Sequence, residues 1–411
     1  MPSLLNDMPL DRVKRLFSHP LSHSSHGWVR DLIIDLRRCT TYKEYVEFQQ
    51  DLLSKILRVQ EHWEGSRRVI ERVRRGRPVP ADAVDLLSGQ DPADPESWEL
   101  EAAVCERVDR HLRSTGDALA WRAFNYDRRV IVALSRNQDP GPSFGKVGLA
   151  AERDFVARWS AEDGCFVLLH GITSCLRIAD ATLFRSVGEE FEAELHEIKT
   201  NPSRRKSVQR ARQRLAEEAV RSGGPLPGDW PATLMSLSEP YKTHIMTVLL
   251  DAFRLAADRG VQGLRVPGGR AMMAAYLPRG YELWDEREFL ERTGAQNTRA
   301  LKRAGIFGHE HMVWWGSDDL VARSSTHAPY AIYPLPPDLC ASLIADMAVY
   351  VVTISGEPLI AALEDAGLRG RWLVAAGQER LQPGQPVLYV DDRVHSTEMR
   401  ASAARERVVR H

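Results

Sequence analysis

The stretch CFVLLHGITSCLRIADATLFRSVGEEFEAELHEIKT, residues 165–200, contains three segments with the composition of β-strands. Runs of apolar and β-branched side chains predict strands over 165–173 and 176–184, and alternating character predicts a third over 191–200. The glycine and polar residues between the last two segments indicate a turn. The flanking sequence predicts one helix on each side, over 149–163 and 207–222. The predicted order is therefore helix, three strands, helix.

Two carboxylates in this stretch are expected to meet at one end of the predicted sheet. Successive side chains of a strand point to opposite faces, so Glu197 and Lys199 share one face of the third strand. A tight turn would fold the second and third strands into an antiparallel hairpin, with Asp180 close to Glu197. Two ionised carboxylates at short distance repel each other, and a divalent cation removes that repulsion. Mg²⁺ takes such oxygen ligands and activates a bound water, which Lys199 could orient.

A basic segment follows the third strand. It contains six lysine or arginine residues and no acid, although the whole chain has a formal net charge of only −1. Local patches of this kind bind polyanions with an affinity that falls steeply with salt. Ser207 is placed to cap the helix that follows, whose first N–H groups favour phosphate. The segment predicts a nucleic-acid-binding surface made of Arg204, Arg205, Lys206, Arg210, Arg212 and Arg214.

The pattern of Asp180, a hairpin and then Glu197-Ile198-Lys199 resembles the PD-(D/E)xK superfamily, the restriction-endonuclease-like nucleases. The resemblance covers roughly residues 145–220, about a fifth of the chain, and departs from the pattern in having Ala179 before Asp180. It implies a restriction-endonuclease-like core with a central mixed sheet flanked by helices. It also implies that Mg²⁺, for which Mn²⁺ can substitute, is held by Asp180, Glu197, Ile198 and Glu152.

The resemblance assigns further roles to these positions. Asp180, Glu197, Lys199 and Glu152 would be the catalytic residues, with Glu152 completing the metal shell from the helix before the strands. Some members of the superfamily carry a glutamine in the helix after the Glu-x-Lys strand. The matching candidates here are Gln209 and Gln213, which would join the basic residues in contacting nucleic acid.

The whole sequence of 411 residues predicts a mixed α/β, multidomain protein. We expect a helical N-terminal region at 1–87, the nuclease-like core with its lead-in at 88–222, and a C-terminal α/β domain of unassigned role at 223–411. Helices are predicted over 41–75, 99–114 and 241–260. Strands are predicted over 128–134, 347–354, 371–377 and 386–392.

The five cysteines are scattered, and no two of them form a CxxC pair. This spacing argues against a structural zinc site and is typical of a reducing cytoplasm. No apolar stretch has the length of a signal peptide core or a membrane span, so we expect a cytoplasmic protein that does not contact a membrane. The GPSFGKVG stretch at 141–148 fails the P-loop spacing, and His309-Glu310-His311 lacks the spacing of a zincin helix.

The sequence therefore predicts a metal-dependent endonuclease that hydrolyses phosphodiester bonds, with DNA favoured over RNA as the substrate. A bacterial defence or restriction-type role follows from family analogy alone. Three alternatives stay open: an RNA-directed nuclease, a nucleic-acid-binding or scaffold protein that does not cleave, and a surface strand with a weak Glu197–Lys199 ion pair. The helix over 41–75 could form a homodimer, and the C-terminal domain could bind a protein partner.

Overall fold

We describe the protein from a computed structural model, which covers residues 10–87, 91–135, 148–162, 164–187, 190–198, 244–306, 312–316, 328–355, 364–365, 368–374 and 386–392. The chain is mixed α/β in these ranges, as the sequence predicts, and most of its regular structure is helical. It divides into two compact units. The first holds the described residues up to Ile198 together with 328–347, and the second holds 244–316 together with 348–392.

Ten α-helices are present in the described residues. In the first unit they are α1 (Leu10–Ser18), α2 (Pro20–Arg38), α3 (Tyr42–Arg74), α4 (Pro95–Ala123), α5 (Arg128–Ser135), α6 (Leu149–Ser160) and α10 (Pro337–Ile344). In the second unit they are α7 (His244–Arg259), α8 (Leu277–Leu283) and α9 (Glu286–Ala304). Short 3₁₀ turns occupy Ala81–Leu86, His170–Ile172 and Tyr330–Ile332.

Nine strands occur in the same residues and form three sheets. They are β1 (Cys165–Leu169), β2 (Ala181–Val187), β3 (Glu190–His196), β4 (Val261–Val266), β5 (Arg270–Tyr276), β6 (Met312–Gly316), β7 (Ala348–Ser355), β8 (Leu368–Val374) and β9 (Pro386–Asp392). The strand orders are β1-β2-β3, β4-β5-β7-β6 and β8-β9. Every pairing among these strands is antiparallel, so the described strands do not form the central mixed sheet that the resemblance implies.

The long helices α3 and α4 pack together and form the centre of the first unit. The helix α3 begins with a capping box, in which the Thr41 hydroxyl accepts the Glu44 N–H and the Glu44 carboxylate accepts the Thr41 N–H. Hydrogen bonds from the N–H groups of Thr40 and Thr41 lower the pKa of Glu44 to about 2. The apolar face of α3 includes Leu52 and Ile56, which are fully buried, so the predicted helix over 41–75 is confirmed.

The segment 328–347 contacts the rest of the first unit through two arginines, the exposed Arg37 and the buried Arg107. The Arg37 guanidinium on α2 donates to the carbonyl oxygens of Leu335 and Tyr333 at 2.9 and 2.7 Å. The Arg107 guanidinium on α4 donates to the Ala345 carbonyl oxygen, and it lies 3.5 Å from the Asp346 carboxylate. The Ala345 carbonyl, at the C-terminal end of α10, is buried and would otherwise lack a partner.

In the second unit, α7 and α9 pack against β4 and β5. Gly263 in β4 allows the α9 backbone to approach closely, since a Cβ atom there would lie 2.3 Å from the Gln296 carbonyl oxygen. The predicted helix over 241–260 is confirmed as α7, and the predicted strands over 347–354, 371–377 and 386–392 correspond to β7, β8 and β9. The C-terminal region is therefore α/β in its described residues.

Two local predictions in the first unit are wrong, and a third gives a helix that is too short. The segment 128–134 forms helix α5 and not a strand, because Ile131 and Leu134 are buried at helical spacing on one face. The helix predicted over 99–114 is confirmed within α4, which extends beyond it at both ends. The first two predicted strands are shorter than expected, since β1 ends at Leu169 and β2 begins only at Ala181.

The predicted boundary between residues 87 and 88 falls inside the first compact unit, since the helices on either side of it pack together. The boundary predicted between residues 222 and 223 lies outside the described residues. Among the described helices, none combines the length and the apolar character that a membrane crossing requires.

Candidate active site

The β2–β3 hairpin brings Asp180 and Glu197 to the same end of the three-stranded sheet. The register pairs Ala181 with His196, so Asp180 and Glu197 stand opposite each other one residue beyond the last pair. The Asp180 N–H donates to the His196 carbonyl oxygen at 2.9 Å, which extends the pairing toward them. Both acidic residues are half-buried. The structure therefore places these two carboxylates in the neighbourhood that the hairpin prediction requires.

The Asp180 side chain is fixed by the backbone that follows Glu197. Its Oδ2 atom accepts a hydrogen bond from the Ile198 N–H at 2.9 Å. Ala179, just before it, has a φ of +69°, a left-handed conformation that costs a residue with a Cβ roughly 1–2 kcal/mol. This conformation ends the irregular segment and turns the chain into β2. A strained residue beside a candidate catalytic carboxylate is typical of sites whose geometry is held by their surroundings.

The segment that leads to Asp180 is held by one face of α4. The Arg113 guanidinium donates to the Gly171 and Thr173 carbonyl oxygens at 2.6 and 3.2 Å. One turn further, the Asp117 carboxylate accepts the N–H groups of Ser174 and Cys175 at 2.6 and 2.8 Å. Burial raises the pKa of Asp117, and these N–H groups partly offset that effect. Both α4 side chains are almost fully buried, so they act as supports for this segment.

Gly116 makes this approach between α4 and the turn geometrically possible. A Cβ atom at this position would lie 2.1 Å from the Ile172 carbonyl oxygen. The 3₁₀ turn His170–Ile172 therefore rests directly on the helix backbone, where any other residue type would force a shift.

Gln49 on α3 completes the edge of the sheet. In the three-stranded order β1 is an edge strand, and its outer backbone groups need partners. The Gln49 side-chain amide donates to the Val167 carbonyl oxygen at 2.9 Å, and its oxygen accepts the Leu169 N–H at 2.8 Å. Gln49 is 1% exposed, so it pairs with this edge of β1 as a neighbouring strand would.

His170 lies beside Asp180 in the turn after β1. Its backbone N–H donates to the Asp180 carbonyl oxygen at 2.9 Å, and its side-chain Nε2 lies 2.7 Å from the Thr182 hydroxyl oxygen. Burial lowers the pKa of His170 to about 4, so the imidazole is neutral at physiological pH. The sequence places His170 in a strand, whereas the structure gives it a buried position that links the turn to β2.

Glu152 occupies a buried position in the first turn of α6. This helix packs against β1. One turn later on the same helix, the centroid of the Phe155 ring lies 4.9 Å from the centroid of the His196 ring at the end of β3. Residues three apart share a helix face, so Glu152 belongs to the face that is directed toward this end of the sheet.

The remaining predicted site residues lie outside the described part of the chain. These are Lys199 and the basic segment with its glutamines: Arg204, Arg205, Lys206, Gln209, Arg210, Arg212, Gln213 and Arg214. The predicted helix over 207–222 lies outside it as well.

The carboxylates at this end of the sheet suit a hard divalent cation. Asp180 and Glu197 supply oxygen donors from adjacent strands, and Glu152 is a third acid on the helix that covers β1. Mg²⁺ is bound by one or two carboxylates plus water and substrate phosphates, so this donor set is sufficient.

The sequence did not predict the residues that support the site, which are Gln49, Arg113 and Asp117. The one available signal is the pair of opposite charges four residues apart on α4, just before the apolar run 118–121.

Comparison of the chain with protein-family models, with curated proteins and with solved structures finds no match.

Proposed function

We propose that the protein is a metal-dependent nuclease that hydrolyses phosphodiester bonds, with DNA as the favoured substrate. The observation that supports this proposal best is the β2–β3 register, which sets Asp180 opposite Glu197 at one end of the sheet. An aspartate followed by a Glu-x-Lys triplet in the sequence would not by itself require this geometry. Asp180 is hydrogen-bonded to the residues on both sides of Glu197, to the His196 carbonyl oxygen and to the Ile198 N–H, and this holds the two acids as a stable platform for a cation and a phosphate group.

Each candidate site residue has a distinct role in this proposal. Asp180 and Glu197 bind the cation, and Glu152 supports them from α6. The Ile198 N–H orients the Asp180 carboxylate, which fixes one of its oxygens before any ligand binds. Lys199, the second residue after Glu197, orients the attacking water or stabilises the negative charge that develops on the phosphate oxygens. A bound Mg²⁺ supplies the charge that lowers the pKa of a water molecule and makes it a nucleophile.

The fold of this region is part of the proposal. The chain order α6, β1, β2, β3 matches the first four elements of the predicted helix–strands–helix core. We assign this segment to a restriction-endonuclease-like core, with the basic segment after it gripping the phosphate backbone. Six positive charges in one short segment would make binding strongly dependent on salt.

Cleavage assays with purified full-length protein test the proposal. Plasmid, linear duplex DNA, single-stranded DNA and RNA are incubated with Mg²⁺ or Mn²⁺, and with EDTA. We expect cutting that requires the metal and that is lost in Asp180→Asn and Lys199→Ala. The asparagine keeps an oxygen for the Ile198 N–H and removes only the charge, so its loss of activity would report on metal binding.

Glu192→Gln is the matched control, because Glu192 is an exposed acid on β3 that pairs with Arg185, away from the sheet end with Asp180 and Glu197. We expect it to cut at the parent rate. Cleavage of RNA alone would replace DNA with RNA as the substrate. Salt-sensitive binding without any cleavage, equal in the parent and in Lys199→Ala, would contradict the catalytic proposal and favour a binding protein.

A further inference from the structure

A second cluster of potential metal ligands lies between α3 and α4, and it shares no residue with the candidate active site. Glu101 and Cys105 are one turn apart on α4, and both are fully buried. His62 reaches them from α3. Its Nε2, one Glu101 carboxylate oxygen and the Cys105 Sγ all lie within 4.8 Å of one another. A carboxylate, an imidazole and a thiol therefore converge in the interior of the first unit.

His62 and Glu101 form a close contact inside the first unit. The Nε2 atom of His62 lies 2.9 Å from Oε1 of Glu101. Both atoms are buried, and neither makes another hydrogen bond in the described residues. Only a proton on Nε2 makes this pair favourable, because without it two buried lone pairs face each other with no donor, at a cost of about 1–3 kcal/mol. A cation held by both atoms would take the place of that proton, since each atom would then act as a ligand through a lone pair.

His19, which is outside the cluster, contacts the other oxygen of the Glu101 carboxylate. Its Nδ1 accepts the Leu21 N–H at 3.2 Å, so Nδ1 carries a lone pair and the ring proton of the neutral form is on Nε2. That Nε2 lies 3.0 Å from Oε2 of Glu101 and donates to it. His19 therefore orients the Glu101 carboxylate and leaves Oε1 directed toward His62 and Cys105. Fixing a ligand through its second oxygen is a common arrangement around protein metal sites.

We propose that His62, Glu101 and Cys105 bind a Zn²⁺ ion, with His19 positioning the carboxylate. Tetrahedral zinc has ligand atoms about 2.0–2.3 Å from the metal, which places them roughly 3.3–3.8 Å from one another. The spacing in the cluster is compatible with this after small side-chain rotations. Thiolate and imidazole ligands select zinc over magnesium, which takes oxygen ligands.

The site would join α3 and α4 and, through His19, the beginning of α2. Three protein ligands leave a fourth position, which in zinc sites is taken by water or by a small ligand. The His62 side chain is 26% exposed although its Nε2 is buried, so this ring is the part of the cluster nearest to solvent. Zinc bound here would stabilise the folded first unit, because the unfolded chain does not bring the three ligands together.

Cobalt substitution tests this site in the full-length protein. The protein is stripped with a chelator and titrated with Co²⁺, which gives a thiolate-to-metal charge-transfer band when a cysteine is bound. We expect one Co²⁺ per chain with this band, and displacement of Co²⁺ by Zn²⁺ but not by Mg²⁺. Cys105→Ser should abolish the band. Cys39→Ser is the control, because Cys39 is buried and a serine keeps its hydrogen bond to the Asp35 carbonyl oxygen.

A second variant addresses the folding of Cys105→Ser. His62→Ala alters a partly exposed side chain and keeps the thiol, so we expect it to fold and to bind Co²⁺ at least ~10-fold more weakly. Zinc should raise the thermal unfolding midpoint of the parent protein and of Cys39→Ser, but not that of Glu101→Gln. Absence of the band in the parent protein, or an unchanged band in Cys105→Ser or His62→Ala, would overturn the proposal. The cleavage assay tests different residues, so failure of the zinc proposal and failure of the proposed nuclease function can be distinguished.

Discussion

Replacement of Gly116 by alanine tests how closely α4 supports the turn that leads to the candidate active site. The new Cβ atom would lie 2.1 Å from the Ile172 carbonyl oxygen, whereas real Cβ contacts do not fall below 3.0 Å. The two backbones would therefore have to separate by about 0.9 Å, the difference between these two distances. A carbonyl oxygen in a tight turn cannot rotate away as a flexible side chain would.

Two opposing effects determine the free energy of unfolding of this variant. Alanine is favoured over glycine inside a helix by about 0.5–1 kcal/mol. Overpacking a well-packed site costs typically about 1–3 kcal/mol, and more where backbone must move. We therefore expect Gly116→Ala to lower the free energy of unfolding by about 1–2 kcal/mol. The disturbance should also displace the 171–175 segment, which Arg113 and Asp117 hold, and reduce cleavage.

Gly27→Ala is the matched comparison. Gly27 is also in a helix interior, in α2, but no atom lies within 4 Å of the position its Cβ would take. The helix preference then acts alone, and the variant should be stabilised by about 0.5–1 kcal/mol. Urea unfolding followed by circular dichroism gives the two midpoints, which are compared at equal m-values. Equal shifts for the two variants would refute the close contact between α4 and the turn.

Three further predictions concern stability. Replacing Gln49 by leucine should lower the free energy of unfolding by about 2–4 kcal/mol in urea titrations, because the Val167 carbonyl and the Leu169 N–H each lose a buried partner; a change within error would contradict the edge-pairing role. Ala179→Gly should stabilise the protein by up to about 1 kcal/mol in the same assay, since glycine adopts a positive φ without strain, and a loss of stability would argue against that conformation. Burial keeps the pKa of His111 well below 6.5, so the unfolded chain binds a proton that the folded protein does not, and stability should fall as the pH decreases below 6.5. His111→Leu should flatten that part of the pH–stability curve, and an unchanged slope would exclude His111 as its source.

The sequence was sufficient for elements whose signals are local. The helix over 41–75 has apolar residues at helical spacing and a Thr41–Glu44 capping box, and both features act within a few residues. The β2–β3 hairpin also follows from a short turn between two strands, and its register places Asp180 opposite Glu197. The segment 128–134 was predicted as a strand because its β-branched residues favour one. It forms a helix because helical spacing buries one of its faces.

Long-range contacts account for what the sequence could not predict. Nothing in the local pattern shows that Gln49 pairs with β1, or that Asp117 holds a turn almost sixty residues later. The same limitation applies to the His62–Glu101–Cys105 cluster. Spacing rules for zinc ligands look for cysteines and histidines close together in the chain, and these three residues come from two helices that meet only in the folded protein.

The most direct test of the proposed function compares two glutamates on the β3 segment. Plasmid cleavage in Mg²⁺ is measured for the parent protein, for Glu197→Gln and for Glu192→Gln. If Glu197 binds the catalytic cation opposite Asp180, its variant should cut ~100-fold more slowly or worse, while Glu192→Gln keeps the parent rate. Equal rates for the two variants, or no cleavage of DNA or RNA by the parent protein with Mg²⁺ or Mn²⁺, would contradict the assignment of this sheet end as a nuclease site.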